Sequence, residues 1–409
     1  MPSSSENRRT LVLAALAGIA ALLLGGFLVA RGYLREIPGV NSYGALAEAF
    51  LNGRLWVEKC PEIDCAVFNG KTYIIFPPLP ALLAMPFIAV LGFGTFKGFI
   101  LLALGVSLVS LLIWQRIFAA LGVEKQDTRW LLLALACASP LFQVGLRADG
   151  VWFFAQTVGF LMMTASLWAV VCRNSLPLAG LFVACAFLCR QMAIFYPLFL
   201  IVLAMPREEG LIAGVRTVFR PVLKAAIPVV AALALIFAYN WLRFGNPMDT
   251  GYAYIHNPGV DSFIARRIAD LGLFSRDYLL FNVLYLFVQG VHFDFTGPHL
   301  TQLTGLDKAG VALFVASPWL LLAAYARLDR VFAAGALVIA IIAGITLFYH
   351  SNGAEQINTQ RYALDWLPIL IVLMVRGQRP AAFSALPLLV MWGVVTNAVV
   401  VLIASFYRL

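Results

Sequence analysis

Two uninterrupted apolar runs, Leu11–Ala30 and Val331–Tyr349, constrain this chain more than any other feature. Each is roughly 20 residues long, the length of helix that crosses a hydrocarbon core about 30 Å thick. Similar runs recur along the sequence and lift the hydrophobic share of the 409 residues to 62%, against 12% charged. Soluble domains hold about 45–50% apolar and about 25% charged residues, so one soluble core cannot bury this excess. A soluble enzyme, a disordered chain and a nucleic-acid-binding domain are excluded. The runs are continuous rather than alternating, which argues against an outer-membrane barrel. The expected fold class is all-α: a polytopic membrane protein of about 11 transmembrane helices, forming a single integral membrane domain over 1–409.

Orientation follows from charge. Arg8 and Arg9 precede the first apolar run, which is too long for a signal peptide and is followed by no small-residue cleavage site. It reads as an uncleaved span with a cytoplasmic N-terminus. Further spans fall near 98–120, 128–146, 152–172, 176–189, 192–205, 225–241, 309–326, 331–349, 364–375 and 382–405. The run 77–94, "PPLPALLAMPFIAVLGFG", is apolar but rich in Pro and Gly. It either crosses or lies in the interface, and the choice inverts everything downstream. If it does not cross, Arg116, Lys125, Arg129, Arg173, Arg207, Arg216, Arg220, Lys224, Arg327, Arg330, Arg376 and Arg379 join Arg8 and Arg9 on the cytoplasmic side. Nearly half of the basic residues then sit in short inside loops, which is the positive-inside pattern. The interfacial reading is therefore preferred, with the chain placed in a bacterial inner membrane. The net charge of +9 is accounted for by these loops and needs no nucleic acid.

Two long extracytoplasmic loops result, 32–97 and 242–308. Loops of this length usually carry function or structure of their own. Surface helices are expected at "NSYGALAEAFLNG" in the first and "YLLFNVLYLFVQGV" in the second. All four histidines, His256, His292, His299 and His350, lie on this side. Cys60 and Cys65 in "CPEIDC" are spaced to close a small disulfide ring, which suits an oxidising periplasm. A metal pair is the alternative, but no neighbouring His or Cys completes a ligand set. No metal or other cofactor is indicated. The remaining cysteines, Cys137, Cys172, Cys185 and Cys189, read as packing residues.

Charges also gather at the outer ends of spans: Arg147 and Asp149 in "LRADG", Arg190 in "LCRQ", and Arg361, Tyr362 and Asp365 in "QRYALDW". Charge near hydrocarbon depth is costly and often marks a site. Arginine grips phosphate with a planar fork, so three arginines from three spans suit a phosphorylated lipid. Phosphate-binding Gly-Lys loops, GxGxxG, HExxH and GxSxG are all absent from the sequence.

Taken in order, "YGALAEAFLNGRL", "DCAVFNGKTYIIFPPLPALLAMP", "ASPLFQVGLRADGVWFFAQ", "AGLFVACAFLCRQ", "NWLRFGNPMDTGYAY" and "QRYALDWLPIL" resemble the GT-C superfamily of membrane glycosyltransferases. The likeness is to the polyprenyl-phosphate-sugar-dependent enzymes, which include protein O-mannosyltransferases and the lipid A aminoarabinose transferase. The resemblance implies inverting transfer of a sugar from a polyprenyl-phosphate donor to a glycan, lipid or protein acceptor outside the cell. It implies a carboxylate base in the first loop and basic residues around the lipid phosphate. Asp149 matches a second acidic position of the family. The first departs: many relatives carry Asp before the Tyr that is here Tyr43, and this chain has Asn41-Ser42 there. The nearest loop carboxylates are Glu36, Glu62 and Asp64. Asp64 is favoured because it precedes the "GKTYIIFPPLP" element expected to line the cavity. The expected site is therefore Asp64 and Asp149 as catalytic carboxylates, with Arg147, Arg190, Arg361, Tyr362 and Lys71 binding substrate. The competing readings are a transporter or flippase of a lipid-linked sugar, which should show internal symmetry and broken helices, and a catalytically inactive scaffold of the same fold.

Overall fold

The computed structural model describes residues 23–206, 210–255, 262–352, 356–377 and 380–407. Most of the expected first span lies outside them, as do Arg8, Arg9, Arg207, His256 and Arg379. The described chain is mostly helical. Five helices are long and apolar enough to cross a membrane: α4 (Phe99–Ala120), α7 (Val151–Val171), α10 (Leu211–Phe244), α14 (Arg330–Leu347) and α17 (Leu386–Tyr407). A sixth candidate is broken. Helices α5 (Lys125–Cys137) and α6 (Pro140–Leu146) meet at 45°. Pro140 has no N–H to continue the ladder, and the Ser139 hydroxyl caps the new helix by accepting from Leu141 N.

The other expected spans are shorter than the sequence suggested. They are α8 (Leu176–Phe187), α9 (Tyr196–Ala204) behind a 3₁₀ turn at Gln191–Phe195, and α15 (Leu367–Arg376) behind a 3₁₀ turn at Arg361–Asp365. Over 309–326 there is no long helix at all: α13 (Leu313–Ala316) gives way to a 3₁₀ segment, Pro318–Tyr325. A proline opens the first turn of α8, α9, α15 and this 3₁₀ segment. Proline fits the first helical turn and not the interior, so the helical parts of the last three begin later than their apolar runs do, while α8 starts where expected and ends early.

Helix α7 is the axis. Of its most apolar window 78% is buried, against 11–33% for the other four long helices. Helices α4, α8, α9 and α15 pack around it. One face of α10, by contrast, looks outward, with Leu223, Ile227, Val230 and Leu242 all more than half exposed. Apolar surface of this extent belongs against lipid.

The chain ends of these helices fall into two groups. At one end, Glu36 accepts from Gly98 N, Phe99 N and Ile100 N at the start of α4, and Arg243 near the end of α10 reaches Ile74 O in the first loop. Arg31, in the helix over 23–35, reaches Ser405 O near the end of α17. At the other end, Arg330 at the start of α14 donates to Met205 O after α9, at 3.3 Å. Arg376 at the end of α15 pairs with Asp329 at 3.0 Å. Both long loops lie at the first end.

Those loops hold strands as well as helices, which an all-α reading did not contain. In the first, β1 (Cys65–Phe68) pairs antiparallel with β2 (Lys71–Ile74). Asn69 and Gly70 turn the hairpin, both at positive φ, 50° and 72°, the geometry that favours Asn-Gly. In the second, β3 (Phe293–Thr296) pairs with β4 (Gln302–Leu306). The loops are joined where Ala66 bridges Ile255 and Phe68, Tyr73, Phe244 and Tyr254 form one aromatic cluster. Of the surface helices, α2 (Ser42–Leu51) is almost wholly buried under α3 (Leu79–Leu91). The other, α12 (Leu279–Phe287), keeps Leu280 and Leu284 exposed.

Candidate active site

Helix α7 begins beside three of the residues singled out by sequence. Its first turn carries Phe153, and two guanidinium groups lie over that ring: Arg147 at 4.5 Å and Arg361 at 5.2 Å from its centre. Arg361 also lies over Tyr362 at 4.9 Å, and Arg190 lies over the same tyrosine at 5.3 Å. Two aromatic faces thus gather three arginines from three separate elements. Stacking on rings lets guanidinium groups crowd without sharing a carboxylate each.

The three differ in what else holds them. Arg190 donates Nε and Nη2 to the two oxygens of Asp365, at 3.0 and 2.6 Å. Asp365 is fully buried and its backbone carbonyl accepts from Tyr196. This is a bidentate pair that holds Arg190 through Nε and Nη2. Its stem crosses α7 at Gly159, where a Cβ would stand 2.6 Å from Arg190 Cγ. Arg361 has no such carboxylate among the described residues. Its Nη2 donates to Tyr362 Oη at 3.2 Å, and its Nε is buried without a partner. Arg147 follows α6 and lies near Asp149, whose pKa is raised by desolvation, an effect that Arg147 only partly offsets.

Around Tyr362 the site is rich in hydroxyls. Tyr362 Oη meets Ser351 Oγ at 2.6 Å, and its ring meets Tyr349 edge-on. Tyr252 from the second loop joins this group. Burial first, then the neighbouring Tyr362 and Asp64, pushes its pKa up to about 12. His350 is held neutral: burial, then Arg361 and Arg267, bring its pKa down to about 4.

The three first-loop carboxylates separate cleanly. Glu36 is spent on the start of α4, as described above. Glu62 ties two helix starts together, accepting from Ser42 N of α2 at 2.7 Å and from Val151 N of α7 at 3.1 Å. Helix N-termini favour a carboxylate there, yet burial outweighs them and raises the Glu62 pKa to about 6. Asp64 has neither task. It is half-buried, adopts a left-handed φ of 65°, and lies within electrostatic reach of Tyr252. Cys60 and Cys65 are joined in a disulfide immediately beside it.

Asn41 caps α2 by accepting from Tyr43 N and donates to the Asp149 carbonyl at 2.8 Å. Asp149 is an exposed residue overall, although its carboxyl is partly desolvated. Lys71 is placed differently from the rest. It stands at the exposed turn of the first hairpin, with its ammonium 5.6 Å from the centre of the Trp56 ring. Among the described residues no group of three or more His, Cys, Asp or Glu side chains could hold a metal ion.

Sequence reasoning named Asp365 among the outer charges without pairing it to Arg190. It missed Phe153, which is invisible as anything but an apolar residue until the arginines are seen on it. Gln156 and Gln360 were also missed. Both are buried amides, and nothing in their local sequence marks them. No family model matches the chain, and neither a curated protein nor a solved structure matches it.

Proposed function

We propose that this chain is a GT-C-type membrane glycosyltransferase that moves a sugar from a polyprenyl-phosphate donor to an extracytoplasmic glycan, lipid or protein acceptor. The observation that carries the reading is the gathering of Arg147 and Arg361 on Phe153, at the end of the bundle that holds the first loop and Asp64. An arginine pair over an aromatic ring, beside the outer loop of this topology, suits a lipid phosphate. In this proposal the chain crosses a bacterial inner membrane eleven times, the short helices and the 3₁₀ segment included, with its N-terminus in the cytoplasm and α3 lying in the outer interface.

Asp64 is the general base. It takes the proton of the acceptor hydroxyl, whose oxygen attacks the anomeric carbon from the face opposite the phosphate. The bond from that carbon to the phosphate oxygen breaks, and the polyprenyl phosphate leaves with the electron pair. Arg147 and Arg361 stabilise the charge that grows on it. Asp149 orients the acceptor or Arg147, while Arg190 and Asp365 fix the 361–365 turn. Inversion at the anomeric carbon follows from the single displacement.

The test is transfer in proteoliposomes carrying radiolabelled hexosyl polyprenyl phosphate and crude envelope acceptors. The expected result is label moved to acceptor, with Asp64→Asn lowering turnover by roughly 10²–10⁴-fold and leaving donor affinity nearly intact. Label that crosses the bilayer still attached to the prenyl lipid identifies a flippase instead. Neither transfer nor crossing leaves the scaffold reading.

A further inference from the structure

We infer that α10 and its neighbours hold one anionic glycerophospholipid at the end of the bundle opposite the arginine cluster. Its phosphate lies on Arg216, Arg220 and Lys224, and an acyl chain enters the apolar cleft next to them. The inference goes beyond the glycosyltransferase reading and does not need it.

The length of α10 comes first. Its 34 residues make a helix about 51 Å long at the ordinary rise, against about 30 Å of hydrocarbon. Arg243, near its end, is fixed to Ile74 O in the first loop, so the surplus lies at its start. That start carries Arg216, Arg220 and Lys224, spaced four apart and therefore on one face. All three are exposed. Helices α8, α9 and α10 contain no Asp or Glu, so the cations are not neutralised from the helices they stand on or beside. Glu208 and Glu209, which precede α10, lie outside the described residues. An apolar face adjoins the basic one: Val215, Phe219 and Leu223 are 43%, 55% and 54% exposed. A helix with adjoining basic and apolar faces suits an anionic headgroup layer.

The next turns of α10 border a cleft. Gly180 of α8 brings the two backbones together, since a Cβ there would overlap Ala225 O. Around that contact a cleft of about 140 Å³ is left between α8, α9 and α10. Ala179, Val183 and Leu200 line it and are buried, while Ala226 and Val230 line it and are exposed. It thus opens on the surface that faces lipid. Its lining is apolar throughout, which fits a hydrocarbon chain. On α10 the cleft runs from Val222 to Val230, and the basic face from Arg216 to Lys224. Charge leads into apolar seat, the order in which a phospholipid presents phosphate and chain.

Other occupants fit less well. A polyprenyl donor held on Arg361 has its phosphate at the opposite end. The helix over 23–35 packs on α4 through Gly32 and on α17 through Arg31. Helices α7 and α8 stand between it and α10. Three cations without a carboxylate favour an anionic headgroup over a zwitterionic one. In the proposed topology this end faces the cytoplasm, so the lipid is one of the inner leaflet.

The test is native mass spectrometry of the full chain in detergent, titrated separately with dioleoylphosphatidylglycerol, dioleoylphosphatidylcholine and glycerol phosphate. The two lipids share their chains, so a difference between them reports the headgroup. Glycerol phosphate offers the phosphate without a chain. The wild type should bind one phosphatidylglycerol about tenfold or more tighter than phosphatidylcholine, given the attraction each cation near an anionic surface supplies. It should not retain glycerol phosphate. Replacing Arg216, Arg220 and Lys224 together by Gln should abolish the preference. Lys125→Gln with Arg129→Gln, on α5 and away from the cleft, should keep it. Ala226→Trp changes no charge and blocks the cleft from its exposed rim, so it should also lose the tight site, with Ala226→Leu in its place if the tryptophan variant does not fold. Equal binding of the two lipids by the wild type overturns the inference, as does a preference that survives the triple substitution or is lost equally in the α5 variant. Undiminished phosphatidylglycerol binding in the folded Ala226 variant overturns the chain seat, and glycerol phosphate bound as tightly as the lipid makes the site one for free anions. No sugar donor is present in any arm, so failure of the glycosyltransferase reading would leave these outcomes unchanged.

Discussion

Arg190 and Arg361 lie over the same tyrosine ring, yet truncating them should give opposite results. Removing Arg190 strands Asp365, fully buried, without its bidentate partner. Breaking a buried pair from one side costs about 3–5 kcal/mol, so Arg190→Ala should lose folded protein, read as a lower Tm by tryptophan fluorescence. Arg361→Ala strands no carboxylate among the described residues and should keep its Tm within a few degrees. Its loss should appear in donor binding, with Arg361→Lys restoring only part, because a point charge does not reproduce the planar fork. Glu62 makes a third test by titration. Burial raises its folded pKa to about 6 from the ordinary 4.5. Between those values the folded state holds more protons than the unfolded one, so stability falls as pH rises from 4.5 to about 6 and is level beyond. The span is about 2 kcal/mol at most, at 1.36 kcal/mol per pH unit. Glu62→Gln should flatten that slope in a pH series of melting curves. An unchanged slope would assign it to another group.

At the scale of elements, the sequence marked the long helices by hydropathy and lost the short ones to prolines. Hydropathy averages over a window, so Pro197, Pro318 and Pro368 moved the starts of elements without breaking the apolar runs. The first hairpin was legible in principle, since Asn69-Gly70 is a strong turn signal between two short apolar segments. It fell in the stretch between the expected surface helix and the apolar run 77–94, to which no element was assigned. The polar network around Gln143, Gln356 and Asn358 was not legible, because its partners are up to 213 residues apart in sequence. The disulfide was legible from spacing alone. It ties the loop that carries Asp64 to β1, which is docked on the second loop through Ala66 and Ile255. Closing so short a ring stabilises by roughly 2 kcal/mol in the chain-entropy account. Cys60→Ser with Cys65→Ser should therefore leave the bundle folded, since Cys60 and Cys65 lie outside every helix, and should raise amide hydrogen exchange over 56–74. Unchanged exchange there would mean the hairpin is held by its aromatic contacts alone.

For the whole molecule, the side on which each loop lies turns on one short helix. Had α3 crossed, its two ends would sit at opposite ends of the bundle. Instead Leu79 N donates to Leu188 O at the end of α8, and Phe93, just past α3, packs where a Cβ on Gly44 would stand. Lys97 then reaches back to Leu34 O. Leu188 adjoins Arg190 and the arginine cluster, while Leu34 adjoins Glu36, which influences Asp149. Both ends of α3 are thus at the end of the bundle that carries the cluster. Its exposed Leu82, Phe87 and Val90 suit a helix lying in an interface rather than one packed across it. With α3 on one side, the positive-inside bias and the pairing of Arg330 with Met205 and of Arg376 with Asp329 describe one and the same opposite face. The expected outcome is specific. In a background with Cys137, Cys172, Cys185 and Cys189 replaced by serine, Lys71→Cys and Thr95→Cys, which flank α3, should both react with an impermeant maleimide added to spheroplasts. Arg216→Cys, exposed near the start of α10, should react only after the membrane is opened. Opposite labelling of positions 71 and 95 would make α3 a span and move the arginine cluster to a different side from the disulfide loop. Labelling of position 216 from outside would invert the molecule, and a donor presented on the periplasmic face would then never meet Arg361.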